Sequence, residues 1–202
     1  RRATRLLGVP SFIAFVQHLL GRAESKLVRE AALAALHERL QLSQLFNVGE
    51  SAEPTPFGRL VLEELTPFVG QTLAGDDSDV AVSLSAARAA DILARHMAQR
   101  APTPFAPLVE AAATAAVVAA RSGRPSSGAR ARTMFSLMAT LFATLRAKSL
   151  PVLAQALPRA RDAVRSAATQ SQVASRAGRR ALLVVVASVP RFLHPHLASV
   201  ID

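Results

Sequence analysis

The chain has no cysteine, and no tryptophan or tyrosine either. Without cysteine there are no disulfides, no thiolate zinc sites and no cysteine nucleophile. Such a composition fits a reducing compartment. Phenylalanine supplies all nine aromatic residues, so an aromatic platform for stacking nucleobases is thin. Acidic residues nearly vanish after Glu110. Up to that point there are 11 Lys+Arg against 12 Asp+Glu, and from Ala111 onward 13 against 2, Asp162 and Asp202. The whole net charge of +10 therefore lies in the second half, which points to an acidic partner there. Mean hydropathy is high at +0.27. Even so, Thr103 to Ala120 is broken by Glu110, and Thr133 to Leu145 is too short to span a bilayer.

What is abundant is alanine and leucine at helical spacing. Four apolar stripes stand out, Leu27 to Leu40, Val82 to Met97, Met134 to Leu145 and Ala181 to Val189, and each follows another apolar helical segment. Small residues allow close helix approach and leucine fills the grooves. The expected fold is all-α, a stack of helical hairpins at about 11–46, 56–100, 104–147 and 149–189, with a fifth opening at 194. Recurrence of one hairpin at roughly 40 to 50 residues marks an α-solenoid of HEAT or armadillo type. The chain opens on Arg1-Arg2 and closes inside a helical pattern beginning near His194, so it is expected to be one continuous segment of a longer protein.

Local signals refine this outline. Ser11 after Pro10 predicts an N-cap, followed by Phe12, Phe15, Val16, Leu19 and Leu20 as a stripe that Gly21 ends or bends. Pro67 predicts a kink between Phe57 and Leu73. The turn 75–78 joins the second hairpin. Pro102, Pro104 and Pro107 open the third, and Ser122 to Gly128 reads as a polar connector.

Candidate chemistry is sparse. His194 and His196 flank Pro195 without a third ligand nearby, so they do not make a metal site. Glu63-Glu64 point apart on a helix and Asp76-Asp77 sit in a turn, so neither pair converges for acid–base work. The connector around Gly123 lacks the lysine and hydroxyl residue of a phosphate-binding loop. No catalytic, cofactor or metal residue is expected. The positive residues form the remaining candidate: Arg124, Arg130, Arg132, Arg146 and Lys148 bracket one hairpin, and Arg159, Arg161, Arg165, Arg176, Arg179 and Arg180 the next. Stacked side by side, the hairpin ends would form a basic ridge able to follow a phosphate backbone or an acidic protein tail. Otherwise they form a solvated face that keeps an apolar scaffold soluble.

Three stretches resemble one family. Met134 to Pro158, with Ser136, Ala139 and Leu145 and then Leu150-Pro151, Leu153 and Pro158, is similar to a helix-then-"LPxLP" pattern. That pattern belongs to the large HEAT-repeat subunit of the small-subunit processome, called U three protein ten in yeast nomenclature. Val189-Pro190-Arg191-Phe192-Leu193-His194-Pro195-His196-Leu197 resembles a later element of the same family, with His196 where an aromatic is usual. Val28 to Leu36 resembles its "VRRKALELL" helix, a pattern any HEAT protein can carry. The likeness spans most of residues 11 to 202. It implies a non-enzymatic nucleolar scaffold that binds early-assembling processome subunits, the U-three snoRNP and the 5′ external transcribed spacer of pre-rRNA. Its role would be to support rRNA transcription and pre-18S processing, with no cofactor, membrane or small-molecule substrate. The alternative is another HEAT adaptor, a transport receptor or kinase-complex scaffold, that takes protein ligands only.

Overall fold

The computed structural model describes residues 7–22, 25–48, 53–75, 80–122 and 127–188. The chain is all-α: a single antiparallel bridge, Phe46 with Pro54, is the only extended pairing among the described residues. Helix α1 covers Val9–Arg22 and α2 Lys26–Leu42. Helix α3 (Pro56–Leu60) passes through a π-helical turn, Val61–Leu65, into α4 (Thr66–Ala74). Helix α5 (Val80–Leu93) is extended by a second π-helical turn, Ala94–Ala98. A 3-10 turn, Thr103–Phe105, leads into α6 (Ala106–Arg121). Helices α7 (Ser127–Leu145), α8 (Leu150–Gln170) and α9 (Gln172–Ser188) complete the order, a 3-10 turn at Arg146–Ser149 joining α7 to α8.

The helices form two layers. Within each pair α1 lies on α2, α4 on α5, α6 on α7 and α8 on α9; α4, α6 and α8 pack in sequence along one layer, and α2, α5, α7 and α9 along the other. Among the described residues no interface of comparable extent joins the first pair to the fourth. One apolar core runs through the stack from Phe12 to Val185. Each pair thus covers its apolar face with the next.

Polar ties repeat with the pairs. Gln17 Nε2 donates to the Glu64 carbonyl (3.2 Å), Arg130 Nε to Ser83 Oγ (3.1 Å), Thr140 Oγ1 to Asp91 Oδ1 (2.6 Å) and Arg159 to Glu110 (2.5 Å). Their sequence separations are 47, 47, 49 and 49 residues. The Arg88–Glu30 pair is separated by 58, because the link between α2 and α3 is longer. Two further ties in the same interfaces, Arg95 to Thr140 and Arg159 to Thr114, are separated by 45, so the separations vary from one junction to the next.

Local chemistry explains several boundaries and corrects others. Thr55 caps α3, its hydroxyl accepting from Gly58 N (3.2 Å) and donating to the Gln44 carbonyl (2.7 Å), with Pro56 at the first helical position. A side chain at Gly58 would run into the Leu45 carbonyl. Ser11 is not an N-cap: α1 starts two residues earlier, Phe12 N bonding the Gly8 carbonyl (2.9 Å) and Pro10 fitting the first turn. Gly21 does not end α1, which runs to Arg22. Ile13 is buried and Phe15 is 38% exposed, so the stripe of α1 is rotated from the expected one. Leu27, at the head of the α2 stripe, is 81% exposed while Arg29 is buried.

Pro67 does not break its helix. Its missing N–H is accommodated by the π-helical turn just ahead, where Thr66 N and Thr66 Oγ1 (2.9 Å) both bond the Val61 carbonyl. Pro158 sits inside α8, which continues past it. Gly128 belongs to the first turn of α7 rather than to a connector. The turn residues 76–78, the centre of the Ser122–Gly128 connector and the fifth unit from 194 lie outside the described residues.

By length and composition, Thr103–Arg121 and Ser127–Thr169 each contain a window apolar enough to cross a bilayer, so the expectation that no segment reaches that length is corrected. The second stretch runs through the Arg146–Ser149 corner that joins α7 to α8. In α6 the apolarity is used for packing: Leu108, Val109, Ala112, Ala113, Ala115, Ala116, Ala119 and Ala120 are buried between α4, α7 and α8.

Candidate binding face

Two grooves follow one another along the outer surface of the second-helix layer. The first, about 710 Å³, lies across α2, α5 and α7 and carries Glu30, His37, Arg88, Asp91 and Arg95. The second, about 690 Å³, lies between α7 and α9, with Arg95, Arg132, Arg176 and Arg180 on its edges. Ser136 and Arg95 line both. The stacking order places these side chains, since α2, α5, α7 and α9 lie side by side.

The first groove is internally neutralised. Arg88 pairs with Glu30, and Arg95 holds Asp91 through Nε (2.8 Å) and a second nitrogen (3.3 Å). Thr140 completes the network on the Asp91 carboxylate at 2.6 Å. The hydrogen bond and charge of Asp91 hold the Arg95 guanidinium above its ordinary pKa. At the edge, the rings of His37 and His96 meet edge to face at 5.4 Å. Burial, and then the neighbouring His37, push the His96 pKa down. Gln41 bonds the other ring at 2.9 Å.

The second groove is different. Among the described residues no carboxylate pairs with Arg132, Arg176 or Arg180, and no acidic residue lines the groove. Its floor is small and apolar, with Ala139, Ala143, Ala177, Ala181 and Val184. Phe135 lies beneath and is fully buried. Helices α7 and α9 run parallel here. A Cβ on Gly128 would meet Ser171 Oγ at 3.1 Å, and one on Gly178 would meet the Phe135 ring at 3.0 Å. The same register offset therefore holds at both points, and the N-terminal ends of α7 and α9 lie together.

The expected ridge of positive residues is thus split. Arg132, Arg176 and Arg180 share the α7–α9 groove. Arg130 is buried against Ser83, and burial lowers its pKa, because it stands one turn before Met134 on the apolar side of α7. Arg159 is tied to Glu110 and Thr114 of α6. Arg161 lies half-buried beside Asp162 at 3.9 Å. Arg165 and Arg179 are exposed, and Arg146 and Lys148 are exposed at the α7–α8 corner, where Arg146 adopts φ +50 and Ser149 Oγ bonds its carbonyl (2.6 Å). Arg124, His194, His196 and Asp76-Asp77 lie outside the described residues. Glu63 and Glu64 are both exposed in the first π-helical turn.

Sequence reasoning missed Arg95, Asp91 and Thr140. The signal for them is the offset of 49 residues, visible only once two helices are known to be equivalent. Among the described residues no group of three or more His, Asp or Glu is placed to hold a metal ion. Comparison of the chain with protein-family models, with curated proteins and with solved structures returned no match.

Proposed function

We propose that this chain is a HEAT-type α-solenoid segment acting as a non-catalytic scaffold of the small-subunit processome. The observation that carries the scaffold reading is the two-layer order in which each helix pair packs on the next, with no interface of comparable extent between the first and fourth pairs among the described residues, as in a stack whose units contact only their neighbours. Such a stack works by avidity: each pair adds a small contact along an extended face, and partners are held in register without any one strong site.

The family likeness supplies the particular assembly. The stretch 134–158 that bears it forms α7, the 3-10 corner and the first part of α8. On this reading the segment sits in the nucleolus, in contact with early-binding subunits, the U-three snoRNP and pre-rRNA. Exposed Arg146, Lys148 and Arg179 are available to phosphate. A protein-only adaptor is the second reading, favoured by the apolar floor of the α7–α9 groove.

The test is ultraviolet crosslinking of the tagged full-length protein in cells, with sequencing of the attached RNA. Enrichment of the 5′ external transcribed spacer supports the processome reading. Recovery of no pre-rRNA, with the protein expressed and folded, rejects it in favour of the adaptor.

A further inference from the structure

We propose that the groove between α7 and α9 seats an acidic amphipathic helix from a protein partner, because three arginines without carboxylate partners edge a trough floored by alanines. The proposal rests on the scaffold reading above and names the occupant of one part of its face.

Shape is the first argument. The lining residues of α7 run from Arg132 to Thr144, about 18 Å at the helical rise, or roughly three turns. On the floor, Ala139 and Ala143 of α7 face Ala177 and Ala181 of α9. Small side chains at spacing four leave room for a third helix to lie along two parallel ones. A volume of about 690 Å³ takes the apolar side chains of such a helix.

Charge is the second. Arg132 and Arg176 stand in the N-terminal halves of α7 and α9, whose N-terminal ends lie together, and Arg180 stands at the middle of α9. At the other end the groove becomes Ala143, Thr144 and Val184. The docked helix therefore carries Asp and Glu residues beside Arg132, Arg176 and Arg180 and apolar residues along one side.

A single-stranded RNA fits less well. Strand binders combine positive charge with exposed rings on which bases stack. The aromatic residue at this groove, Phe135, is fully buried, and the floor between the arginines is apolar.

The experiment places a photoreactive phenylalanine analogue at exposed Ala143 in the full-length protein, in cells, with a second version at exposed Ser136 in case the first disturbs packing. The proposal expects a nuclease-resistant, protease-sensitive adduct that maps by mass spectrometry to an acidic amphipathic segment. It also expects an adduct yield about tenfold lower in Arg176→Glu/Arg180→Glu, a loss of the size that removing a central charged anchor produces. An RNA adduct overturns the proposal while leaving the processome scaffold standing. A protein adduct with no acidic character, or one unaffected by the charge reversal, also overturns it. So does failure of both positions to crosslink when a probe at exposed Ala34, in the neighbouring groove, does. Pre-rRNA recovered from the same cells reports separately on the scaffold reading.

Discussion

Replacing Gly178 by alanine tests the close approach on which the α7–α9 groove depends. Judged by helix propensity, Gly178→Ala in the interior of α9 gains about 1 kcal/mol. The packing argues the opposite. An added Cβ overlaps Val164 Cγ2 of α8 and meets the Phe135 ring of α7 at 3.0 Å. Valine has a stiff side chain, and Phe135 is fully buried. Neither neighbour yields without moving a helix. Overpacking of this kind costs about 1 to 3 kcal/mol, so the net effect is a destabilisation of up to about 2 kcal/mol. For a chain of this length that lowers Tm by several degrees, at about 2 to 4 °C per kcal/mol. Thermal and urea unfolding followed by circular dichroism read the effect. The double variant Gly178→Ala/Val164→Ala supplies the control. Val164→Ala removes the clashing methyl, so the double variant is less destabilised than the sum of the two singles by about 1 kcal/mol. A Gly178→Ala chain more stable by the full propensity gain, with additive behaviour in the cycle, would refute the three-helix contact.

Thr140→Val deletes the short bond to Asp91 while keeping the side-chain shape. Discounted for the partial exposure of Asp91, 28% at the side chain, the loss is about 1 kcal/mol, and a cycle with Asp91→Asn shows coupling between the second and third pairs. Arg130→Met leaves binding of an acidic partner in the α7–α9 groove unchanged but removes the donor to buried Ser83 Oγ, and is destabilising by about 1 to 3 kcal/mol in urea unfolding. Burial lowers the His96 pKa in the folded chain, so the unfolded chain takes up the proton first. Its contribution to stability is therefore full above the ordinary imidazole value of about 6.5 and is lost as pH falls through the folded pKa. His96→Gln flattens the slope of stability between about pH 7 and pH 5.5, and an unchanged slope contradicts this assignment. Leu27→Glu, at a position 81% exposed, shifts the urea unfolding midpoint by the equivalent of no more than about 0.5 kcal/mol.

Helical period carried most of the fold. Met134, Met138, Leu141 and Leu145 mark a buried side that the structure uses as such, and the proline-rich opening at 102–107 forms a 3-10 turn before α6. The same stripe held a signal that charge alone hides: Arg130 is four residues before Met134 and so belongs to the buried side. Where period failed, a neighbour had decided the matter. Phe15 lies on the flank of α1 because Ile13 and Phe12 take the contact with the next helices. The start of α1 at Val9 reflects proline's tolerance of a first turn over serine's preference for a cap. The binding face was legible only as an excess of arginine. Which of these residues meet across α7 and α9, and which are spent on Glu110, Ser83 or Asp162, depends on the lateral register of the pairs, and one helix's periodicity does not contain that.

The stacked order itself is the central claim, and the absence of cysteine makes it directly measurable, because spin labels introduced in pairs meet no background. Ala34→Cys on α2 is combined with Ser136→Cys on α7 or with Arg180→Cys on α9, and the label separations are read by pulsed electron paramagnetic resonance. At about 10 Å per helix step, an open two-layer stack predicts about 20 Å for the first pair of labels and about 30 Å for the second. A shorter distance for Ala34 with Arg180 than for Ala34 with Ser136 would mean that the first and last pairs close on each other, and would contradict the open stack and the extended binding face built on it.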